Sequence, residues 1–275
     1  MAKLKKNLSL NLNKIVKMKI KLFLALIIAI LSLNFKAHAA GDAATAALKP
    51  QQISWQFDGL FGKFDYRSIQ RGFQVYREVC SSCHSLKLAS YRNLQQVGFS
   101  EDEVKQIAAE YLVKDGPDDN GEIFLRPGLP SDRFVSPYAN ENAARLANGG
   151  AYPPDLSLIV KARMDGANYL YSLLTGYEKA PDDFNLTEGK YYNPYFEGRQ
   201  IAMPSPIGDD ELVEYQDGLL ATKEQMTYDV VNFLQFVAEP EMEQRKSIGI
   251  KTLIFLAILI VLFALAKRQV WKSVK

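Results

Sequence analysis

Residues 80–84 read Cys80-Ser81-Ser82-Cys83-His84, two cysteines separated by two residues and followed at once by a histidine. This C-x-x-C-H spacing is the attachment signature of a c-type haem. Two thiols on one turn reach the two vinyl groups of the porphyrin and form thioethers, while the adjoining histidine lies under the ring as the proximal iron ligand. The pentapeptide therefore predicts a domain folded around one covalently bound haem c, which supplies a large, rigid, apolar part of the core.

Other chemistries of paired cysteines fit this chain less well. A structural zinc site requires four ligands, whereas Cys80, Cys83 and His84 supply three. A thioredoxin-type redox pair is expected in a βαβ context, and strand alternation is weak throughout this sequence. A structural disulfide would leave His84 without a role. Two cysteines and two histidines in 275 residues also exclude a disulfide-rich scaffold and a histidine-rich metal site.

A second axial ligand must come from outside the pentapeptide. His38 lies in a predicted export signal, so His84 is the only histidine of the mature chain. Methionine is the usual partner of histidine in electron-carrying cytochromes, and it raises the reduction potential. The candidate methionines are Met164, Met203, Met226 and Met242.

Met203 is the favoured ligand among these four methionines. It lies in a loop stiffened by Pro204 and Pro206, and a stiff apolar loop can hold a thioether against iron while excluding water. Met164 lies in a charged stretch, Met226 is expected to fill the core, and Met242 is expected to be solvated in an acidic stretch. The alternative is that Met203 only packs and the sixth position is open, which would indicate ligand binding or catalysis.

Two further residues are candidates for contact with the haem. Buried propionates need cationic or polar partners, and Arg126 in the Arg126-Pro127-Gly128 turn is the best candidate. Its alternative is an ordinary surface arginine. Tyr152, beside Pro153-Pro154, either lines the ring edge or packs against the protein.

The formal net charge of +2 is the sum of three segments with different charges. Residues 1–39 carry eight lysines and no acidic residue, and residues 251–275 carry five basic residues and no acidic one. Residues 40–250 carry 20 basic and 31 acidic residues. An acidic middle segment therefore lies between two basic, apolar ends, and each end requires its own explanation.

The N-terminal segment has the parts of an export signal. Lysines precede an apolar run from Leu22 to Leu33, and Ala37-His38-Ala39 supplies a small-x-small cleavage site. We predict a cleaved signal peptide over residues 1–39 and bacterial export, because mitochondrial transit peptides are usually arginine-rich and this segment has no arginine. An uncleaved anchor is the alternative, and either Met1 or Met18 fits as the start of the signal.

The C-terminal segment has the pattern of a membrane anchor. Residues 248–266, interrupted only by Lys251, would form roughly 28 Å of helix at ~1.5 Å per residue, close to the ~30 Å hydrocarbon core. Basic residues follow directly, so the positive-inside rule places the C-terminus in the cytoplasm. We predict an extracytoplasmic haem domain over 40–245, a transmembrane helix over 246–268 and a cytoplasmic tail over 269–275. A buried core helix is the less favoured alternative, because cations flank the apolar run.

The middle of the chain is expected to be mainly α-helical with long loops. Apolar periodicity predicts helices over Ser68–Val79, Leu156–Thr175 with a break at Gly166, and Thr227–Val237. Thr222 with Gln225 resembles a capping box before the last of these helices. Acidic residues cluster in two loops, which are either solvated or a docking field for a basic partner. These residues are Asp115, Asp118, Asp119 and Glu122, and then Asp209, Asp210, Glu211, Glu214 and Asp217.

An ordered set of motifs along nearly the whole mature chain resembles the cytochrome c1 family, the haem subunits of cytochrome bc1 complexes (ubiquinol–cytochrome c reductase). C-x-x-C-H alone fits many cytochromes, and the ordered set is much more specific. The set comprises Trp55–Gly59, Arg71–Tyr76, Cys80–His84, Arg126–Gly128, Asn148–Ser157, Leu173–Tyr177, Tyr192–Phe196, Ile201–Pro204 and Ala238–Glu241.

The resemblance implies a class I cytochrome c-like domain with long loop insertions and one C-terminal span. It implies His84 and Met203 as axial ligands, Arg126 at a propionate and one haem c. The implied function is to accept an electron from the Rieske iron–sulfur protein and pass it to a soluble or anchored cytochrome c. Some bacterial members carry an extra disulfide, and this chain lacks the cysteines for it.

The implied setting is a bacterial inner membrane, with the haem domain in the periplasm and cytochrome b as a neighbour in a dimeric bc1 complex. No nucleic-acid partner is expected, and the chain is not expected to be an enzyme on its own. Two alternatives remain at this point. One is a stand-alone anchored cytochrome c that donates to an oxidase, and the other is a haem enzyme or gas sensor with an open sixth site.

Overall fold

The computed structural model describes residues 46–208 and 210–274, so the predicted export signal lies outside the described residues. The helices are α1 (Tyr66–Glu78), α2 (Glu101–Ala109), α3 (Glu141–Ala147), α4 (Gly166–Thr175), α5 (Lys223–Ala238) and α6 (Met242–Val270). The strands are β1 (Leu112–Asp115), β2 (Phe124–Pro127), β3 (Tyr191–Tyr192) and β4 (Gln200–Ile201). Short 3-10 turns cover Cys80–Ser82, Tyr91–Val97, Glu197–Arg199 and Trp271–Val274. The expected mainly α class with long loops is confirmed.

Helices α1 and α5 form the centre of the domain. Asp65 caps the start of helix α1, and its carboxylate accepts hydrogen bonds from two amides of the first turn. Thr222 caps the start of helix α5, and its hydroxyl accepts from the Gln225 amide at 3.1 Å, as the capping pattern predicts. A Cβ at Gly72 would lie 2.0 Å from the Asp229 carbonyl oxygen, so only glycine permits this close helix crossing.

A buried ion pair also joins α1 to α5. The side chain of Asp229 is fully buried, and its carboxylate accepts hydrogen bonds from Arg71 at 2.8 and 3.1 Å. The Ser68 hydroxyl donates to the same carboxylate at 2.6 Å. Arg71 also pairs with the more exposed Asp217 at 2.9 Å. The two helices that carry most of the core are thereby held in one register.

The predicted helix over Leu156–Thr175 is wrong in its first half. Residues 157–164 form turns, and α4 begins only at Gly166. Asp165 adopts a left-handed conformation with φ of 60°, and Gly166 has φ of 46°. A helix cannot run through two such residues, so the predicted break at Gly166 is in fact the start of the helix.

Two antiparallel hairpins lie outside the helical core. The first pairs β1 with β2, and Arg126 stands opposite Val113 in this ladder. The expectation that Arg126 lies in a turn is therefore wrong, because its backbone belongs to a strand. The second pairs β3 with β4, placing Tyr192 opposite Gln200. This hairpin leads directly into the segment that contains Met203.

Helix α6 is long and apolar enough to cross a membrane, and its apolar stretch is exposed along its length. Its first residue, Met242, is only 2% exposed and belongs to the core of the domain. The expectation that Met242 is solvated is therefore wrong, because the first turn of α6 packs against the domain before the helix leaves it. The helix is thus fixed to the domain at its root.

Candidate haem site

The two cysteines and the histidine share one tight turn at the end of α1. Residues Cys80–Ser82 form a 3-10 turn, and the Cys80 carbonyl accepts hydrogen bonds from the Cys83 amide at 3.1 Å and the His84 amide at 2.9 Å. Both cysteines are partly buried. The structure therefore brings together the two sulfur atoms and the imidazole that the pentapeptide predicts for one ligand.

The His84 ring is oriented by a backbone carbonyl. Its Nδ1 atom lies 2.8 Å from the carbonyl oxygen of Pro154. A carbonyl can only accept, so Nδ1 carries the proton and Nε2 keeps the lone pair that binds a metal. Burial lowers the pKa of His84 and outweighs the opposing effects of the Pro154 carbonyl and Asp155. The ring is therefore neutral near pH 7, as a metal ligand must be.

The thiols lie in a protected environment. Burial, with a smaller contribution from neighbouring Cys83, raises the pKa of the Cys80 thiol to about 12. The Tyr138 hydroxyl lies 3.9 Å from the Cys83 sulfur, and Asn148 donates to that hydroxyl at 3.1 Å. Cys80 is therefore a neutral thiol at pH 7, and Cys83 lies beside a polar pair from the loop and helix around residues 138–148.

Asp155 fixes the segment that carries the Pro154 carbonyl. Its carboxylate accepts hydrogen bonds at 2.8 Å from the Ser85 hydroxyl and from the Lys87 amide, and at 2.9 Å from the Ser157 amide. The Leu156 amide adds a bond to the Ser85 carbonyl at 2.9 Å. The chain after His84 and the chain after Pro154 are thus joined, which holds the carbonyl against the ring. Sequence reasoning missed this role of Asp155.

The pH dependence of stability should change when Asp155 is replaced by asparagine. Burial raises the pKa of Asp155, but hydrogen bonds from Lys87, Ser157 and Ser85 outweigh it and hold the pKa below its usual range. A depressed carboxyl pKa contributes stability above about pH 4 and loses it as the pH falls further. Urea unfolding at several pH values should show a gap between the wild type and Asp155→Asn that closes on acidification. Parallel profiles would contradict this.

The methionines differ sharply in exposure. Met226 is fully buried in the core, as expected, and Met164 is 89% exposed. Met203 is partly buried, as a side chain at the edge of a ligand site would be. Because Met242 is also buried in the core, Met203 is the only one of the four that combines an irregular loop with partial exposure.

The Met203 segment is held from two sides. The Tyr177 hydroxyl donates to the Met203 carbonyl at 3.1 Å. The preceding hairpin is fixed to the end of α4, since the buried Asn193 side chain donates to the Leu173 carbonyl at 2.7 Å. These contacts hold the segment that the prolines are expected to stiffen. Tyr177 lies in the motif Leu173–Tyr177, but the sequence assigned it no role of its own.

Arg126 and Tyr152 each have a partner within the protein. The Arg126 guanidinium pairs with Asp115 and, at 2.6 and 3.0 Å, with Asp132. Its hydrogen bonds lower the pKa of Asp132 below its usual range, although burial opposes this effect. The Arg145 guanidinium lies 5.5 Å from the centre of the Tyr152 ring. Their contact with a haem stays a prediction.

Comparison with known proteins shows the family of this chain. Residues 55–274 match the sequence profile of the family described as Cytochrome C1. The chain belongs to the cytochrome c1 family. A cytochrome c1 described as a haem protein from Arabidopsis thaliana is 51% identical over 243 residues, covering 88% of this chain and 79% of the relative.

Two other relatives extend the comparison. Cytochrome c1 of Rhodospirillum rubrum is 46% identical over 267 residues, covering 91% of this chain and 97% of the relative. A Candida albicans protein named the cytochrome b-c1 complex catalytic subunit is 49% identical over 247 residues, covering 88% of this chain and 85% of the relative. The resemblance drawn from the motifs is confirmed. Membership of the cytochrome c1 family supports electron transfer and favours it over the stand-alone and open-site alternatives.

Proposed function

We propose that this cytochrome c1 carries one covalently bound haem c and serves as the electron-transfer subunit of a cytochrome bc1 complex. It would accept electrons from the Rieske iron–sulfur protein and pass them to a soluble or anchored cytochrome c. The observation that carries the proposal is the turn at 80–84, where two thiols and a neutral imidazole oriented by the Pro154 carbonyl share one site.

The donor set fits a haem better than a bare metal ion. The described residues 46–208 and 210–274 contain no group of three or more His, Cys, Asp or Glu side chains that could hold a metal ion. A porphyrin supplies four nitrogen ligands to the iron, so the protein has to provide two thiols for attachment and one or two further iron ligands. Cys80 and Cys83 would attach the haem through thioethers, and His84 and Met203 would bind its iron.

The protein's own contribution is positioning rather than acid–base chemistry. A haem iron with histidine and methionine ligands supplies a one-electron couple of fairly high potential. Pro154 and Asp155 keep the His84 ring in one tautomer and orientation, and Tyr177 holds the Met203 segment. No side chain has to act as acid, base or nucleophile, and quinol oxidation belongs to other subunits of the complex.

We place this cytochrome in a bacterial inner membrane, with residues 40–245 in the periplasm. The lysine-rich segment 1–39 would direct export, and α6 would anchor the domain with its basic end in the cytoplasm. Cytochrome b would then be a neighbour within a dimeric complex. The name of the Candida albicans relative, which refers to a b-c1 complex, supports this partnership.

The two acidic loops favour a basic electron acceptor, although some of their carboxylates already pair with arginines of this chain. Asp115 pairs with Arg126, and Asp217 pairs with Arg71, so these carboxylates are partly neutralised within the protein. Asp119 and the nearby Glu122 are exposed. A basic cytochrome c would be attracted to these exposed carboxylates, which would raise its association rate at low salt.

Purification in mild detergent tests the proposed function. We expect the chain to travel with a b-type cytochrome and an iron–sulfur protein, and the preparation to reduce cytochrome c when given a quinol. On a denaturing gel, the band of this chain should keep a haem stain, and Cys80→Ala with Cys83→Ala should abolish it. A fully functional monomer without these subunits would refute the bc1 assignment, and a stain lost on denaturation would refute covalent attachment.

A further inference from the structure

A short loop before α1 divides its apolar side chains between the core and solvent. Phe57 and Phe64 at the base of the loop are buried, and Phe64 packs edge-on against the Phe236 ring at 5.7 Å. At the tip, Leu60 is 57% exposed and Phe61 is 78% exposed. We name residues Leu60 and Phe61 the apolar tip. Two large apolar side chains thus protrude from a loop whose base is firmly packed.

The loop is closed tightly, so the position of its tip is well defined. A Cβ at Gly62 would lie 2.0 Å from the Asp58 carbonyl oxygen, which only glycine allows. The Lys63 amide donates to the Gln56 carbonyl at 3.0 Å and closes the base. The apolar tip is therefore presented by a compact turn rather than by a long, flexible segment.

The same loop is tied to the root of α6. The Glu243 carboxylate accepts a hydrogen bond from the Phe64 amide at 2.8 Å. The Lys246 ammonium donates to the Phe57 carbonyl and, at 3.2 Å, to the Gly62 carbonyl. Both side chains lie on one face of the helix, three residues apart. The loop thus docks on α6 on both sides of its tip.

This docking holds the residues on either side of the apolar tip close to the level where the membrane-spanning stretch begins. The apolar run of α6 starts at Ile248, two residues after Lys246, which is ~3 Å along a helix at ~1.5 Å per residue. Residues around the tip have the character of a membrane interface, where aromatic side chains and cations collect. Tyr66 is 45% exposed, and Lys63 is exposed beside the tip.

We propose that the apolar tip inserts into the phospholipid surface on the side of the haem domain, as a second membrane contact beside α6. With one helix alone in the bilayer, the domain and its helix could tilt together relative to the membrane. A second membrane contact, held rigidly to the root of that helix, restricts this tilt. The domain would then keep one orientation toward the partners with which it exchanges electrons.

Lipid is favoured over a protein partner by the size of the feature and by its position. A stable protein interface buries about 800 Å² per partner over some 20–30 residues. The apolar tip consists of only two large side chains, and the loop that carries it is bound to the root of the apolar helix α6. Insertion of a few apolar side chains next to a helical anchor requires no complementary surface.

A photoreactive side chain at the tip tests this inference in the intact complex. The variant Phe61→p-benzoylphenylalanine is expressed in the full chain, membranes are irradiated, and the peptide that contains residue 61 is analysed by mass spectrometry. We expect a mass increase equal to one phospholipid. The matched control is Leu146→p-benzoylphenylalanine on α3, since Leu146 is 88% exposed and equally apolar. It should give no lipid adduct.

Each other outcome overturns the inference. A covalent product with another subunit would show that the tip docks on protein, and the absence of any adduct would show that it faces water. Leu60→p-benzoylphenylalanine serves as a second probe if the first variant loses its haem spectrum. Since the inference rests on α6 as the anchor, alkaline carbonate extraction checks that separately. A chain that stays in the pellet but yields no lipid adduct refutes only the tip contact, whereas an extracted chain refutes the anchor and the tip together.

Discussion

Replacing Met203 with leucine should lower the reduction potential by on the order of a hundred millivolts or more, because axial ligands set haem potentials over ~0.8 V. Leucine keeps the size and apolarity of methionine and removes only the sulfur, so the fold should be preserved within about 1.5 kcal/mol. The vacated axial position should also allow the ferrous form to bind carbon monoxide. A potentiometric titration and a reduced-plus-CO difference spectrum measure the two effects.

The other methionines provide matched controls. Met226→Leu changes a fully buried core side chain, and Met164→Leu changes one that is 89% exposed. Both should leave the potential and the absence of CO binding unchanged. If Met203→Leu behaves like these two controls, Met203 is not the ligand. If one of the controls opens the site instead, the ligand is that methionine.

The local part of the site could be predicted from the sequence because its geometry is set by neighbours in the chain. Cys80, Cys83 and His84 lie within five residues, and a single turn places them together. The turn and the free Nε2 atom of His84 are compatible with the predicted haem attachment, which stays a prediction. Met203 stands out by elimination. The buried Met226 and the exposed Met164 agree with that argument, whereas Met242 is buried in the core rather than solvated.

The distant part of the site could not be predicted in the same way. The Pro154 carbonyl that orients His84 is a backbone atom, and no residue type marks it. Asp155 accepts hydrogen bonds from the Ser85 hydroxyl and the Lys87 amide, 70 and 68 residues earlier in the chain, a relation that only the fold reveals. The one available signal was the stretch Pro153–Ser157, in which a carboxylate and a hydroxyl follow two prolines.

Two of the three errors in the fold prediction have the same origin. Arg126 was expected in a turn, yet pairing with β1 extends its backbone and directs it toward two carboxylates. Met242 lies in an acidic stretch, yet the first turn of α6 buries it. In both cases a contact with another part of the chain overrides a sound local preference. The third error is local, because Leu156–Thr175 has helical periodicity but Asp165 takes a left-handed conformation before the helix begins.

The largest effect on stability is expected from Asp229→Ala. This substitution leaves Arg71, whose side chain is only 14% exposed, without its buried partner. Breaking a buried pair from one side costs about 3–5 kcal/mol, and we expect the lower end because Asp217 still pairs with Arg71. The unfolding temperature should fall by roughly 10 °C for a domain of this size. Thermal unfolding of the haem-loaded chain in detergent measures the change.

Two further variants separate the buried pair from the exposed one. Asp217→Ala removes the more exposed carboxylate from the same arginine, and it should cost at most ~1 kcal/mol because water screens that pair. The double variant Arg71→Leu with Asp229→Leu replaces both charges by apolar groups and should recover much of the lost stability. This recovery would show that the cost of Asp229→Ala comes from the uncompensated charge rather than from the lost hydrogen bonds. If Asp229→Ala and Asp217→Ala cost the same, the buried pair does not hold α1 on α5.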